Sequence, residues 1–271
     1  SGKTLWFPRP DTGPVVPPDT RFNIKSERRP DAPPPIRSTA RAFRVVVPPT
    51  IDGTHAINEW PNWIPERALS LGRLFGPEAH RGCLGEAYVL FDEHALYIAV
   101  RLLAAPAKLG QTWGTHDGIE VDFQSIDNGF YGAKYVLHGF PNGAFESVTE
   151  AGATPVQAKE LGDAVSFAAN ATDTGWTCEL RIPLSAVGID LGTLEKLRLN
   201  LGAYQAGNGI DGWHAWIRTK GEKGGVNHDL AHAGDLLFRP VCPAETPNLL
   251  TSGHFNGKDL TPWSNGSWRL G

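Results

Sequence analysis

The sequence predicts an all-β protein folded as an antiparallel sandwich. Short runs rich in β-branched and aromatic residues recur about every 10–15 residues between Gly, Asn and Asp turns. Several of these runs alternate apolar and polar residues with a period of two. Helical period is almost absent; "PLSAVGI" reads as no more than a short turn. Together these features suit a jelly-roll or immunoglobulin-like sandwich.

The strands follow in order. "FRVVV" from Phe43 is a β-branched run closed by Pro48 and Pro49. "AYVLFDEHALYIAVRLL" (87–103) is two strand-like runs around a four-residue polar turn, a strong hairpin signal. "DGIEVDF" sets Ile119, Val121 and Phe123 on one face and Glu120 and Asp122 on the other. "AKYVLHGF", "GAFESV" and "AVSFAANAT" supply further short strands. "GWTCELRIPL" alternates Trp176, Cys178, Leu180 and Ile182 against Thr177, Glu179 and Arg181. "LRLNLGAYQAG", "GWHAWIRT" and "GDLLFRP" complete the set.

Residues 1–43 differ in texture. They hold nine prolines, and proline lacks an amide donor and fixes φ, so this arm is expected to be extended: a strap over the domain or a linker from an upstream module. The sandwich is expected over 44–240. Residues 241–271 read as a linker and the start of a second β module, since some 24 residues cannot make a domain.

Composition narrows the function. A formal net charge of −4 and a pI of about 6.1 argue against nucleic-acid binding, which needs a basic face. Residues 1–45 carry +5, leaving −9 on the remainder. No run approaches the roughly 18 apolar residues of a membrane span, and no signal-peptide pattern is visible. Cys83, Cys178 and Cys242 allow at most one disulfide and form no CxxC signature. Nine Trp with no Met is an unusual pairing. Flat indole rings suit carbohydrate stacking, and the lack of Met removes His/Met haem ligation.

Glu120 and Asp122 lie on one strand face, roughly 7 Å apart along the backbone, and do not flank a bond as a glycosidase pair does. Calcium is a better use for such turn-borne acids; Asp92, Asp117 and Asp122 are its candidate ligands, beside Asp52, Glu59 and Asp127. His228 and His232 have zinc-ligand spacing, but the Glu of the metalloprotease motif is Asp229 here. "SGKT" lacks the upstream glycine of a P-loop, and no serine has a GxSxG setting. Aromatics carry more information. In "GWHAWI", Trp213 and Trp216 fall on opposite strand faces, so one of them is free to leave the core. Trp113 lies between Gly110 and Gly114, outside any period-two run.

The ordered series "PPTIDGTHAINEWPNW", "GEAYVLFDEHALYIAVRL", "TWGTHDGIEVDFQS", "GWTCELRIPLSAVGI", "LRLNLGAYQAG", "GWHAWI" and "HAGDLLF" resembles the family-9 carbohydrate-binding modules and their DOMON-like relatives, over roughly residues 44–240. The stretch "NLLTSGHFNGKDLTPWSNGSWRLG" is similar to the first strands of jelly-roll carbohydrate-binding domains. The main resemblance implies a non-catalytic, extracellular, periplasmic or cell-surface module of a polysaccharide-acting protein. It would have poly- or oligosaccharide and neighbouring modules as partners. A terminal sugar would be clamped between Trp113 and Trp216, with Glu120, Asn200, Lys134 and His138 donating or accepting hydrogen bonds and calcium as a structural ion. Two departures stand out. "TWGTHDG" has one residue more between Trp and Asp than the family pattern, and "AKYVLHG" offers Lys134, Tyr135 and His138 where members present Arg and Asn. Two alternatives remain at this point: a structural or docking β-sandwich of a larger enzyme, and a haem or redox DOMON-type domain.

Overall fold

A computed structural model describes residues 38–56, 58–60, 67–73, 83–103, 106–127, 130–194, 196–206, 212–217 and 230–238. Of the arm expected over residues 1–43 only 38–43 are described; residues 1–37, His228, Cys242 and the module expected at 241–271 lie outside these residues. Cys83 begins a strand, and Cys178 is a buried free thiol.

The strands among the described residues are β1 (Thr39–Arg44), β2 (Leu69–Arg73), β3 (Cys83–Phe91), β4 (Leu96–Leu102), β5 (Gly118–Asp127), β6 (Phe130–Gly139), β7 (Phe145–Val148), β8 (Ser166–Thr172), β9 (Gly175–Ile182), β10 (Lys196–Tyr204), β11 (Trp213–Ala215) and β12 (Gly234–Phe238). One layer runs β7-β6-β5-β10, and the other runs β2-β3-β4-β9-β8. β11 joins β10 to β2 on one side, while β12 and β1 join β10 to β3. Pairing is antiparallel except at β1, which runs parallel to β12 and β3. This is the sandwich that alternation predicts.

The core sits between the layers. Ile119, Val121 and Phe123 of β5, Leu199 and Leu201 of β10, Ile98 and Val100 of β4, and Cys178 and Leu180 of β9 are all buried in it. Each such aliphatic or aromatic side chain contributes about 1.5–3 kcal/mol by leaving water. At the β7 and β8 margins, Phe145 stacks on Phe167, with ring centroids 5.7 Å apart. Gly139 makes room for Phe167, since a Cβ there would lie 2.5 Å from its ring. A smaller cluster of Trp60, Tyr88, Leu90, Tyr97 and Ala99 covers the far face of the β3-β4 layer.

Two elements depart from expectation. "FRVVV" is not the first strand: β1 ends at Arg44, and Val46 and Val47 are 97% and 79% exposed. The run is β-branched, but two prolines follow it and its ladder partners are used up by residues 39–44. The second is a helix, α1 (Pro155–Ala164), where no helical period was visible. Only Ala158 and Leu161 of it are buried, too few to impose a 3.6-residue pattern. Its start is written in the chain nonetheless. Thr154 caps the Gln157 amide, the Gln157 side chain accepts from the Thr154 amide, and Pro155 opens the first turn.

The loop at 51–54 approaches β8 closely. Gly53 has φ +86°, and a Cβ there would lie 2.7 Å from the Ala169 backbone. Gly53→Ala therefore combines left-handed strain with a backbone clash. It is expected to cost about 2 kcal/mol, read as a lower midpoint in chemical denaturation at unchanged slope.

Candidate functional site

The outer face of the β7-β6-β5-β10 layer carries the site. Directly paired residues on antiparallel strands point to the same side. Glu120 pairs with His138 on β6 and Gly202 on β10; Asp122 pairs with Asn200; Gln124 pairs with Lys134 and Arg198. Because Ile119, Val121 and Phe123 are claimed by the core, every one of these polar groups is turned outward. Glu120, Lys134, His138 and Asn200, spread over some eighty residues of sequence, thus lie on one face of the layer, where Glu120, His138 and Asn200 are buried.

Trp113 closes the upper end of this face. It stands on a turn in which the Thr115 and His116 amides donate to the Thr112 carbonyl. The Asp117 amide donates to the Lys108 carbonyl, and Asp117 Oδ1 accepts the Ala206 amide at 2.7 Å. The indole lies flat on the His138 imidazole, with centroids 4.1 Å apart and planes within 6°. Gly118 allows this descent, because a Cβ there would lie 2.7 Å from the indole. Trp213 meets Trp113 edge-on at 5.5 Å and 75°, Tyr204 lies 5.0 Å from Trp213, and Phe140 completes the ring cluster. Trp113 and Trp213 are both half-buried.

The structure sets Trp213, and not Trp216, beside Trp113. The reason is strand parity. Trp213 pairs with Tyr204, which pairs with Gly118 on the outer face, whereas His214 pairs with Ala203 of the core face. Trp216 has the parity of His214. Its ring packs against the core and fills the space left by Gly234, where a Cβ would lie 2.4 Å from the indole. Asn200 does not face open solvent either. Its carboxamide accepts the Ile217 amide at 3.1 Å and donates to the Ile217 carbonyl at 3.2 Å, pinning the chain next to Trp216. Lys134 is half-buried farther down β6.

Beneath Trp113 lies a buried polar chain. His138 Nδ1 is 3.0 Å from Glu146 Oε1, and its Nε2 is 3.2 Å from Glu120 Oε2. Glu120 in turn hydrogen-bonds Asp122. Burial, then the neighbouring Glu120 charge and hydrogen bond, push the Asp122 carboxyl well above the usual carboxylate range. Burial would lower His138, but its hydrogen bonds to Glu120 and Glu146, with the neighbouring carboxylate charge, outweigh it and raise the imidazole above its ordinary value of 6.5.

The aspartates expected to hold calcium serve separate tasks. Asp92 caps the β3–β4 turn, accepting the His94 and Ala95 amides and the Tyr97 hydroxyl. Burial there is outweighed by these bonds, which hold its carboxyl below the usual range. Asp117 anchors the Trp113 turn to Ala206, and Asp122 belongs to the buried chain. Among the described residues, no group of three or more His, Cys, Asp or Glu side chains is placed to hold a metal ion. Nor is any described helix long and apolar enough to cross a membrane.

Sequence reasoning marks Trp213 only as one of two tryptophans of which one is free to leave the core, and it misses Tyr204, Phe140 and Glu146 altogether. No motif marks them; only the β5-β10-β11 register and the β6–β7 hairpin bring them to Trp113.

No protein-family model and no curated protein matches the chain. Among solved structures it is similar to a family-9 carbohydrate-binding module from Caldicellulosiruptor kristjanssonii in complex with glucose. That match has 13% identity over 74% of this chain and 96% of the other, at a TM-score of 0.51. A module of the same family and organism in complex with cellotriose is similar at 11% identity, covering 75% and 94%, at 0.49. A putative carbohydrate-binding protein from Bacteroides uniformis is similar at 14% identity, covering 75% and 100%, at 0.46. At these identities the likeness concerns the fold, and the chain has the β-sandwich fold of the family-9 carbohydrate-binding modules.

Proposed function

We propose that this chain is a non-catalytic carbohydrate-binding module whose sugar stacks on the outward face of Trp113. One observation supports the reading above others: two half-buried tryptophans touch at the mouth of a polar sheet face, in a turn held by its own hydrogen bonds. An indole offers a flat apolar surface to sugar C–H groups, and its neighbours can supply hydrogen bonds around the rim. The rings of Trp113 and Trp213 lie 5.5 Å apart at 75°, which leaves no parallel gap between them. The sugar therefore rests on one ring, with Trp213 as a side wall. It is not sandwiched between two rings.

The carboxylates do not read as catalytic. Glu120 and Asp122 point the same way from one strand and bond to each other, an arrangement suited to support and not to attack on opposite sides of a glycosidic bond. We place the module, as the sequence resemblance implies, outside the cytoplasm in a larger polysaccharide-acting protein. Stacking on one ring supports weak, micromolar-to-millimolar affinity.

Calorimetry with glucose, cellotriose and a panel of other mono- and oligosaccharides, run with and without EDTA, tests ligand and calcium together. Saturable binding of any member supports the reading. A blank panel removes it in favour of a structural or docking module.

A further inference from the structure

We propose that His138 is the positioning residue of the Trp113 ring, held as an imidazolium between two carboxylates, so that this half-buried ring is set in place only while His138 is protonated. Geometry carries the argument. A neutral imidazole has one donor nitrogen and one acceptor nitrogen, and an ionised carboxylate only accepts. Here both ring nitrogens face carboxylate oxygens, Glu146 at 3.0 Å and Glu120 at 3.2 Å. The Glu146 side chain is 45% exposed, while the His138 ring is 1% exposed. The arrangement is satisfied when both nitrogens donate. A cation then lies flat under the Trp113 indole, centroid to centroid 4.1 Å, in cation–π range.

The groups around His138 are consistent with this. From β5 come Glu120 and, behind it, Asp122; from β7 comes Glu146; and Glu150 follows β7. β6 itself adds Lys134, two pairs down the strand. On the Trp113 turn, His116 accepts the Thr112 amide and Asp117 is bound to Ala206. At the β10 position opposite Glu120 stands Gly202, which is uncharged.

The sign follows. His138 is raised above 6.5, so the charged form and its hold on Trp113 are complete below that value and are lost as pH rises through the raised one. Loss of the cation removes one hydrogen bond and the cation–π contact, freeing the indole to leave the imidazole. The half of this inference that concerns affinity rests on the sugar reading; the half that concerns Trp113 does not.

The test is a pH titration of the full chain, following the His138 imidazole by NMR and tryptophan emission in parallel. Trp113→Phe identifies the part of the emission that belongs to that ring. The expected result is one shared midpoint above 6.5, which falls in Glu146→Gln, a change at a half-exposed partner that spares the fold. His138→Gln should abolish the pH-dependent emission. Any sugar found in the panel should bind about fivefold more weakly two pH units above the midpoint than below it. Emission that ignores the imidazole, or a midpoint at or below 6.5, overturns the proposal. Shared midpoints with a blank sugar panel uphold the His138–Trp113 coupling and overturn the sugar reading alone.

Discussion

Trp113→Ala is expected to weaken sugar binding by about tenfold or more while the protein stays folded, and Trp216→Ala is expected to do the reverse. The two rings differ in what they touch. Trp113 stacks on the His138 side chain, is half-buried, and rides on a turn outside the core. Losing its stacking surface removes on the order of 1–1.5 kcal/mol from a weak interaction, which is the tenfold. Trp216 instead packs against the core over Gly234. Truncating it opens a cavity at the β10–β12 junction, at a cost of about 3 kcal/mol or more. Calorimetric affinity and thermal midpoints for the two variants separate the cases. Lost affinity with an unchanged midpoint in Trp216→Ala would return the site to the Trp113–Trp216 pair that the sequence resemblance implies.

Those two tryptophans also show where sequence reading stops. Parity along "GWHAWI" says that the rings diverge, and parity along "DGIEVDF" says which residues seek the core. Neither says which side of β11 faces Glu120. That depends on pairing between Tyr204 and Trp213 and between Tyr204 and Gly118, across loops of unrelated sequence. Register is a long-range property, and a shift of one residue would exchange the two rings. The polar row fared differently. Glu120, Asn200, Lys134 and His138 came from separate motifs, and the sheet gathers them on one face because each sits out of phase with a strongly apolar neighbour such as Val121, Leu199, Tyr135 or Leu137. What the motifs could not reveal is that His138 and Asn200 are already engaged with protein partners, since those partners, Glu146 and Ile217, carry no signal of their own.

Glu179→Ala is expected to lower stability by about 3 kcal/mol or more without touching the Trp113 face. The carboxylate projects from β9 on the far side of the sandwich and holds Asp52, Gly53 and Trp60 against it. Its Oε2 accepts the Asp52 and Gly53 amides at 2.9 and 2.8 Å, and its Oε1 accepts the Trp60 indole N–H at 2.8 Å. Alanine leaves three donors facing a hole, two of them in the interior. Each orphaned buried donor costs about 1–3 kcal/mol. Trp60, 1% exposed, also loses the bond that fixes its ring over Tyr88 and Tyr97. The pH dependence gives a second measurement. Burial raises the Glu179 carboxyl above its usual 4.5 against the opposing pull of the Gly53, Asp52 and Trp60 donors. The folded state thus keeps a proton that the unfolded chain releases, so this group's contribution is full below 4.5 and declines as pH climbs through the raised value. Glu179→Gln retains an acceptor but cannot titrate. Urea denaturation from pH 4 to 8 should therefore show a downward slope that is steeper in the parent than in Glu179→Gln, where Asp122 and His138 still titrate, alongside a lower plateau for Glu179→Ala. Equal slopes in parent and Glu179→Gln would mean that another buried carboxyl sets the acid-side profile.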